Sequence, residues 1–306
     1  MSRSSVIAIA GPTATGKSAC GALLARKLGG EVISADSAQI YRGMDIGTAK
    51  VSRQEMLGVP HHLIDIRDPS ESYSAAQFVR DALEIIDDLH RRGKVPILVG
   101  GTGFYVHAVL YPLDFGGRDA DPLLRERLEE KSGEALYGQL MREDPSAADR
   151  LHPNDRKRVI RALEIALSGG RKGGGFRQMR PRFDDAALFG LTMSRESLYR
   201  RIEWRVDQMM AAGFLDEVRN LLAQDGVTRQ SLSMQSLGYK QLAAHLAGEF
   251  TLEEAVEEIK KQTRRFAKRQ LTWFRREEGI RWLDVETHGN AEEIVDKMME
   301  VLEEQA

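Results

Sequence analysis

Short apolar runs alternate with a longer amphipathic stretch through the first third of the chain. Apolar residues dominate 6–10, 32–34 and 95–99, and each run is too short for a helix. Residues 74–92 carry apolar side chains at helical spacing instead, at Phe78, Leu83, Ile86 and Leu89. This alternation of strand and helix patterns predicts a parallel sheet with helices packed against it.

A different pattern fills the middle of the chain. Residues 121–168 are helical in pattern throughout, and a glycine-rich, basic segment follows at 168–182. Since Gly116-Gly117 precedes this region, we predict a helical insertion domain at 117–187 within a core of residues 1–116 and 188–306. The second part of the core is predicted to contain strands at 188–192 and 281–284 and helices near 194–223, 252–277 and 291–303.

The loop after the first strand has the spacing G-x-x-x-x-G-K-S, which is a complete P-loop. Backbone N–H groups of such a loop cradle phosphate oxygens, the lysine adds a charge, and the serine hydroxyl can hold Mg²⁺. The fold class is therefore predicted as α/β, a P-loop NTPase-like core with a parallel sheet plus a mainly helical insertion domain. The predicted phosphate-binding residues are Gly11, Pro12, Thr13, Ala14, Thr15, Gly16, Lys17 and Ser18, with Ser18 as the metal ligand.

Composition narrows the class of protein only slightly. The chain has 306 residues, a formal net charge of −2 and one cysteine, so an internal disulfide and a cysteine-rich zinc cluster are excluded. No signal peptide or long apolar span is visible, and we expect a cytoplasmic protein without membrane contact. The near-neutral balance argues against indiscriminate nucleic-acid binding, but a basic face balanced by acidic segments is compatible with it.

Two candidate groups follow the second and third strands. Asp36 is suited to act as a base, as a Mg²⁺ ligand or as a helix N-cap, and the sequence leaves all three open. After the third strand stands Gly100-Gly101-Thr102-Gly103, where an ATPase or kinase often carries a carboxylate. These glycines weaken an NTPase interpretation and favour a loop whose backbone comes close to a substrate.

Cations are concentrated on predicted helices. Arg201 and Arg205 share a helix face, and one of them could reach a phosphate, although a solvated arginine is the usual outcome. Two basic clusters predict a track for a polyanion, with Phe266, Trp273 and Phe274 more suited to the core than to base stacking. The clusters are Arg156, Lys157, Arg158 and Arg161, and Lys260, Lys261, Arg264, Arg265, Lys268, Arg269, Arg275 and Arg276.

Three other classes of site or protein fit less well. His61-His62-x-x-Asp65 lacks the spacing of a helical metal motif. A small-molecule phosphotransferase with a helical lid is disfavoured by the missing carboxylate and by the basic helices. A non-catalytic RNA-binding module is disfavoured by the intact P-loop.

Taken together, these motifs resemble the tRNA dimethylallyltransferases, in a form similar to the bacterial members. The P-loop alone would not be specific, but the matching strings run from the first strand to about Asp284. They are GPTATGKS at 11–18, DSAQIY at 36–41, GMDIGTAK at 43–50, PHHLID at 60–65, VGGTGFY at 99–105, HPND at 152–155, RIEWR at 201–205, LGYK at 237–240 and KRQLTWFR at 268–275.

The resemblance implies transfer of a dimethylallyl group from dimethylallyl diphosphate to N6 of the adenosine immediately 3′ of the anticodon. It implies that the P-loop, Lys17 and Arg205 hold the diphosphate with Mg²⁺ at Ser18, that Asp36 is the base, and that Thr102 lines the channel between the substrates. The core of residues 1–116 and 188–306, with its C-terminal basic helices, would be catalytic, and the insertion domain at 117–187 would contact the tRNA. The partner would be the anticodon stem-loop, and we expect a monomer without an obligate protein partner. The implied tRNA contacts are Asp36, Ser37, Ala38, Gln39, Lys157, Arg158, Val159, Ile160, Arg161, Gly238, Tyr239, Lys240, Lys268, Arg269, Gln270, Trp273 and Arg275.

Two positions depart from the pattern of that family. Ser18 stands where many members have threonine, and both hydroxyls can hold Mg²⁺. Lys240 stands where arginine is frequent, which keeps the charge but loses bidentate contacts.

Overall fold

The computed structural model describes residues 6–113, 121–169 and 180–304. Its sheet has six strands in the order β3-β2-β4-β1-β5-β6, and every neighbouring pair is parallel. The predicted α/β core with a parallel sheet is confirmed. The strands are β1 Ile7–Ala10, β2 Glu31–Ser34, β3 His61–His62, β4 Pro96–Gly100, β5 Ala187–Thr192 and β6 Arg281–Asp284.

Twelve α-helices lie within the described residues. They are α1 Lys17–Leu28, α2 Ala75–Arg91, α3 Gly103–Leu110, α4 Pro122–Glu129, α5 Gly133–Glu143, α6 Pro145–Ala148, α7 Arg156–Leu167, α8 Arg195–Ala211, α9 Phe214–Leu222, α10 Tyr239–Leu246, α11 Leu252–Phe274 and α12 Ala291–Glu303. None of these helices is long and apolar enough to cross a membrane.

The predicted single helix near 194–223 is wrong, because the chain forms α8 and α9 there. Gly213 separates them with a φ of 97°, a left-handed conformation that glycine adopts without the steric cost that a side chain brings. The apolar spacing continues from Met209 and Met210 into Phe214, so the sequence pattern carries no sign of the break.

One face of the sheet is covered by α1 and α12. Strand residues such as Ile9 and Phe189 pack there with Leu24 of α1 and with Val295 and Met298 of α12. Burying each large apolar side chain is worth about 1.5–3 kcal/mol. This packing holds β1 in the middle of the sheet and so fixes where the loop after β1 emerges.

The chain forms two compact units. One is Met1–Tyr111 with Pro181–Ala306, and the other is Pro112–Arg180. The second unit has its own core, formed by Leu128, Leu136, Leu140, Val159, Ile160 and Leu163. The predicted limit at 117 and most of the glycine-rich segment 168–182 lie outside the described residues, and Ala187, the predicted last residue of the insertion, is the first residue of β5.

The two ends of the first unit's chain meet where the second unit is inserted. The backbone N–H of Arg182 donates to the carbonyl oxygen of Leu110 at 2.7 Å. The Arg182 guanidinium also donates to the carbonyl oxygen of Val109 at 3.2 Å. The chain therefore leaves the first unit and returns to it at neighbouring positions.

Candidate active site

The P-loop connects β1 to α1 and is held by its own side chains. The Lys17 ammonium donates to the carbonyl oxygen of Pro12 at 2.6 Å, and the Thr15 hydroxyl donates to the same oxygen at 2.9 Å. Gly11 must lack a side chain, because a Cβ there would lie 2.5 Å from the carbonyl oxygen of Leu191 in β5. Ala14 has a φ of 68°, a strained value for a residue with a side chain. The loop is therefore fixed in a shape that its sequence alone does not favour.

Two cations from distant parts of the chain face the cavity above this loop. Lys17 begins α1 and Arg205 lies on α8, and both line a cavity of about 580 Å³ together with Ser18, Asp36 and Glu55. Burial, and then the neighbouring Arg205 guanidinium, lower the pKa of Lys17 to about 8. Burial also lowers the pKa of Arg205, and the Arg201 guanidinium adds to that effect. Because the two positive charges repel each other, an anion bound between them would be strongly stabilised.

Asp36 lies just beyond the end of β2 and is fixed by the turn that follows. Its Oδ1 accepts from the backbone N–H of Ala38 at 2.9 Å, and the Thr102 hydroxyl accepts from the N–H of Ser37 at 3.3 Å. Residues 37–40 form turns rather than an α-helix, so the helix N-cap alternative for Asp36 is wrong. Asp36 caps the local turn, and it also lines the cavity above the P-loop.

A second, more apolar cavity adjoins the first. Its volume is about 230 Å³, and it shares Thr13, Asp36 and Arg205 with the P-loop cavity. Thr102 also lines it. Its large apolar lining residues are Ile202, Val206, Met209, Phe214, Leu237, Ile259 and Phe266. The site therefore has a cationic half and an apolar half, with Asp36 on the boundary.

The glycines after β4 serve a purpose that the sequence analysis did not anticipate. A Cβ on Gly101 would lie 2.3 Å from Nε2 of Gln270, and a Cβ on Gly103 would lie 2.2 Å from Cδ1 of Trp273. Both contacts come from α11. The approach of this loop to a substrate stays a prediction. In the structure its glycines lie against a helix of the protein itself, and Thr102 lines the cavity.

Sequence reasoning missed Glu217, which shapes one wall of the site. Its carboxylate accepts from the backbone N–H groups of Asp45, Ile46 and Gly47 at 2.9, 2.7 and 3.1 Å. It also accepts from the Tyr239 hydroxyl at 2.6 Å. The segment after Gly47, with Thr48 and Ala49, lines both cavities. The string GMDIGTAK marked that segment, but no sequence signal connected it to a carboxylate on α9.

The residues implied to contact tRNA differ widely in exposure. Ser37, Lys157, Arg158, Lys240, Lys268, Arg269 and Arg275 are exposed, and Ala38, Gln39, Arg161 and Trp273 are partly exposed. Five others are buried, namely Val159, Ile160, Gly238, Tyr239 and Gln270. Val159 and Ile160 belong to the core of the second unit, and Gln270 and Tyr239 hydrogen-bond inside the first. Their side chains therefore face away from solvent, so the RNA surface proposed below is built on the exposed cations.

Comparison with known proteins identifies the family. A protein-family model described as IPP transferase matches residues 39–277. This chain belongs to the IPP transferase family.

Relatives of this IPP transferase match it over nearly its whole length. A tRNA dimethylallyltransferase of Pelotomaculum thermopropionicum is 48% identical over 299 residues, covering 96% of this chain and 95% of the relative. A tRNA dimethylallyltransferase of Desulforudis audaxviator is 51% identical over 292 residues, covering 93% of each.

Solved structures share the fold of this IPP transferase. The tRNA isopentenylpyrophosphate transferase of Bacillus halodurans is 45% identical, with a TM-score of 0.72 and coverage of 98% of this chain and 97% of that one. A eukaryotic dimethylallyltransferase acting on tRNA is 34% identical, with a TM-score of 0.78 and coverage of 92% and 73%.

Proposed function

We propose that this IPP transferase moves the dimethylallyl group of dimethylallyl diphosphate to N6 of the adenosine immediately 3′ of the anticodon in tRNA, releasing diphosphate. The observation that carries the proposal is the two-part site, in which Lys17 and Arg205 line the cationic half and Asp36 lies at its boundary with the apolar half. Such a site complements a diphosphate joined to a small apolar group. The names of its relatives agree with this assignment.

The diphosphate belongs in the cationic half. Lys17 and Arg205 neutralise the charge that grows on the leaving group as its bond to the allylic carbon breaks. The lysine exchanges its contact with Pro12 for a phosphate oxygen, and Thr15 then remains as the side-chain donor to the Pro12 carbonyl. These cations act in a partly buried site, where electrostatic stabilisation is stronger than in water.

Mg²⁺ fits the donors that this half offers. Ser18 lines the P-loop cavity at the start of α1, and Mg²⁺ is usually held by few protein oxygens together with phosphate oxygens and water. We propose that Ser18 and the diphosphate hold the ion. When bound, it supplies further positive charge to the leaving group.

Asp36 is proposed as the base that accepts a proton from the adenine amine. The lone pair of that amine is delocalised into the ring, so a carboxylate hydrogen-bonded to the N–H group assists its attack on the allylic carbon. Asp36 lines both cavities, and its turn with Ala38 holds it at their boundary. Thr102 lies beside it and lines the channel in which the amine and the allylic carbon meet.

The exposed cations are proposed to hold the anticodon stem-loop through its phosphates. Phosphate contacts position the RNA, while its shape and unstacked loop bases give selectivity. The target adenine must leave its stack to reach Asp36, which costs a few kcal/mol. We expect the enzyme to act on tRNA as a monomer in the cytoplasm.

A direct assay tests the proposal. The protein is incubated with labelled dimethylallyl diphosphate, Mg²⁺ and unmodified tRNA, and the label in the RNA is measured, with ATP in place of the isoprenoid as the control. We expect incorporation at a single adenosine and no phosphate release from ATP. ATP hydrolysis without incorporation would instead support a phosphotransferase, and the Lys17→Ala variant controls for contaminating activity.

A further inference from the structure

Gln270 makes a bridge between two loops of the site. Its side-chain oxygen accepts from the backbone N–H of Thr13 in the P-loop at 2.9 Å. Its side-chain nitrogen donates to the carbonyl oxygen of Gly101, after β4, at 2.9 Å. The residue is 6% exposed, its bond to Gly101 is buried, and its bond to Thr13 is partly buried. One amide of α11 thus satisfies a donor in one loop and an acceptor in the other.

The surrounding backbone is shaped to admit this side chain. At residue 101 only a hydrogen fits, because a Cβ would meet the Gln270 amide nitrogen at 2.3 Å. Thr13 directly precedes Ala14, which has the left-handed φ of 68°. A strained residue of this kind persists only where its surroundings determine the conformation. The bond to Thr13 supplies such a constraint next to the strained position.

Gln270 also connects the P-loop to the helix that carries exposed cations. Its sequence neighbours Lys268 and Arg269 are exposed, whereas Gln270 itself is directed into the first unit. Trp273, one helical turn further along α11, packs against Gly103, which follows β4 near Gly101. The face of α11 that contains Gln270 therefore holds the diphosphate loop, and a different face is open to RNA.

We propose that Gln270 is a positioning residue that fixes the P-loop for diphosphate binding and catalysis, and that it does not contact tRNA. This inference rests on the proposed function for its catalytic consequence. Without the bridge, the buried Gly101 carbonyl and the partly buried Thr13 N–H lose these hydrogen bonds, and the loop relaxes from the shape that receives the diphosphate.

The first test is Gln270→Leu, with Gln262→Leu as the matched control. Gln262 lies on the same helix, and within residues 6–113, 121–169 and 180–304 its amide hydrogen-bonds to Glu258 alone. Calorimetry with inorganic diphosphate and Mg²⁺, filter binding with tRNA, and single-turnover transfer are measured for both variants. We expect Gln270→Leu to lower both the affinity for diphosphate and the single-turnover rate of prenyl transfer about ten- to hundredfold. Its affinity for tRNA should be unchanged. The control should match the parent in all three assays.

Two outcomes would overturn the inference. If Gln270→Leu weakened tRNA binding and left diphosphate binding intact, Gln270 would be an RNA contact. If no assay changed in a folded variant, the bridge would have no role. Because diphosphate binding is measured without tRNA, these results stay separate from a failure of the proposed function, which would appear as an absence of transfer by the parent protein.

A second variant distinguishes positioning from general stabilisation. Gln270→Glu keeps the acceptor for Thr13, but a charged carboxylate would repel the Gly101 carbonyl oxygen. When protonated, its O–H group can donate to that oxygen, and burial raises the pKa of a carboxyl group. The rate of this variant relative to the parent should therefore rise as the pH falls from about 8 to about 6. Measuring the ratio at each pH removes the pH dependence that the variant shares with the parent. A ratio independent of pH, in a variant with the parent's melting temperature, would contradict the proposal.

Discussion

At the scale of single residues, the site depends on two charged side chains, Asp36 and Arg205, that line the apolar cavity. Asp36 could be identified from its place after a strand, but its partner Ala38 and its neighbour Thr102 follow from the backbone of two loops. Arg205 could be placed only as a candidate, because helical spacing does not say which of Arg201 and Arg205 faces inward. In the structure Arg205 is partly buried and lines the P-loop cavity, whereas Arg201 is exposed.

The role of Asp36 is tested by Asp36→Asn. Asparagine caps turns as well as aspartate does, so the fold and both substrate affinities should be retained. Loss of the base should lower the single-turnover rate by about 10²–10⁴-fold. Rapid-quench measurement with pre-bound tRNA gives that rate. A rate restored by raising Mg²⁺ would assign Asp36 to metal binding, and an unchanged rate would leave only the turn.

The two cations are tested by Lys17→Ala and Arg205→Ala. Each should lower kcat/KM by roughly two orders of magnitude, about 3 kcal/mol of transition-state stabilisation. Affinity for tRNA should change little. Arg201→Ala is the matched control, since that side chain is exposed on the same helix. Near-normal turnover of Arg205→Ala at saturating diphosphate would place Arg205 outside the mechanism.

At the scale of elements, α11 shows how much of a basic run is available to a partner. The sequence presents its cations as one cluster, but Lys260 pairs with Asp207 at 2.8 Å, Lys261 with Glu258 at 2.9 Å, and Arg264 with Glu203. Among the described residues, Lys268 and Arg269 have no ion-pair partner. Arg269 lies 5.7 Å from the ring centre of Phe266 instead. The pairs that Lys260 and Arg264 make could not be read from the sequence, because their partners lie on another helix, α8.

The salt dependence of tRNA binding tests this division. Lys268→Ala and Arg269→Ala should each weaken binding and reduce the slope of log K against log salt by about one. Lys261→Ala should change that slope less, because its charge is already balanced by Glu258. Equal slope changes in all three variants would show that the ion pairs do not limit access to the RNA. Affinity for dimethylallyl diphosphate should be the same in each.

At the scale of the whole molecule, the sequence was sufficient for the kind of fold and for its phosphate loop. Strand runs and the P-loop spacing are local signals, and they predicted the parallel sheet and the position of the loop. What could not be predicted joins residues far apart in the chain. Gln270 meets Thr13 across 257 positions, and Glu217 holds a segment near Gly47. Such contacts depend on the final packing, and no local pattern records them.

Stability towards acid should depend on a carboxylate at the start of β2, at the opposite end of that strand from Asp36. Glu31 pairs with Arg92 at 2.7 Å and with His62 at 2.7 Å. The hydrogen bonds from Arg92 lower its pKa from 4.5 to about 2. Because the folded pKa lies below the unfolded one, the stabilisation is complete above about pH 4.5 and is lost as the pH falls towards 2.

Glu31→Gln should therefore lower the free energy of unfolding by about 2 kcal/mol at neutral pH. It should also flatten the loss of stability on acidification. Urea unfolding at several values between pH 7 and pH 3 measures both effects. Asp88→Asn is the control, since Asp88 is a more exposed partner of the same arginine. If the two variants lost equal stability, the burial of Glu31 would not matter.

The hydrogen bond between Arg182 and Leu110 has an evolutionary meaning. It joins the two ends of the inserted segment, which are therefore adjacent in the first unit. Lengthening that segment costs little additional entropy, because the cost of closing a loop grows only with the logarithm of its length. An ancestor could have gained, enlarged or exchanged the segment Pro112–Arg180 without disturbing the sheet. A segment of this kind can change in length with little strain on the sheet, because its own core holds it together.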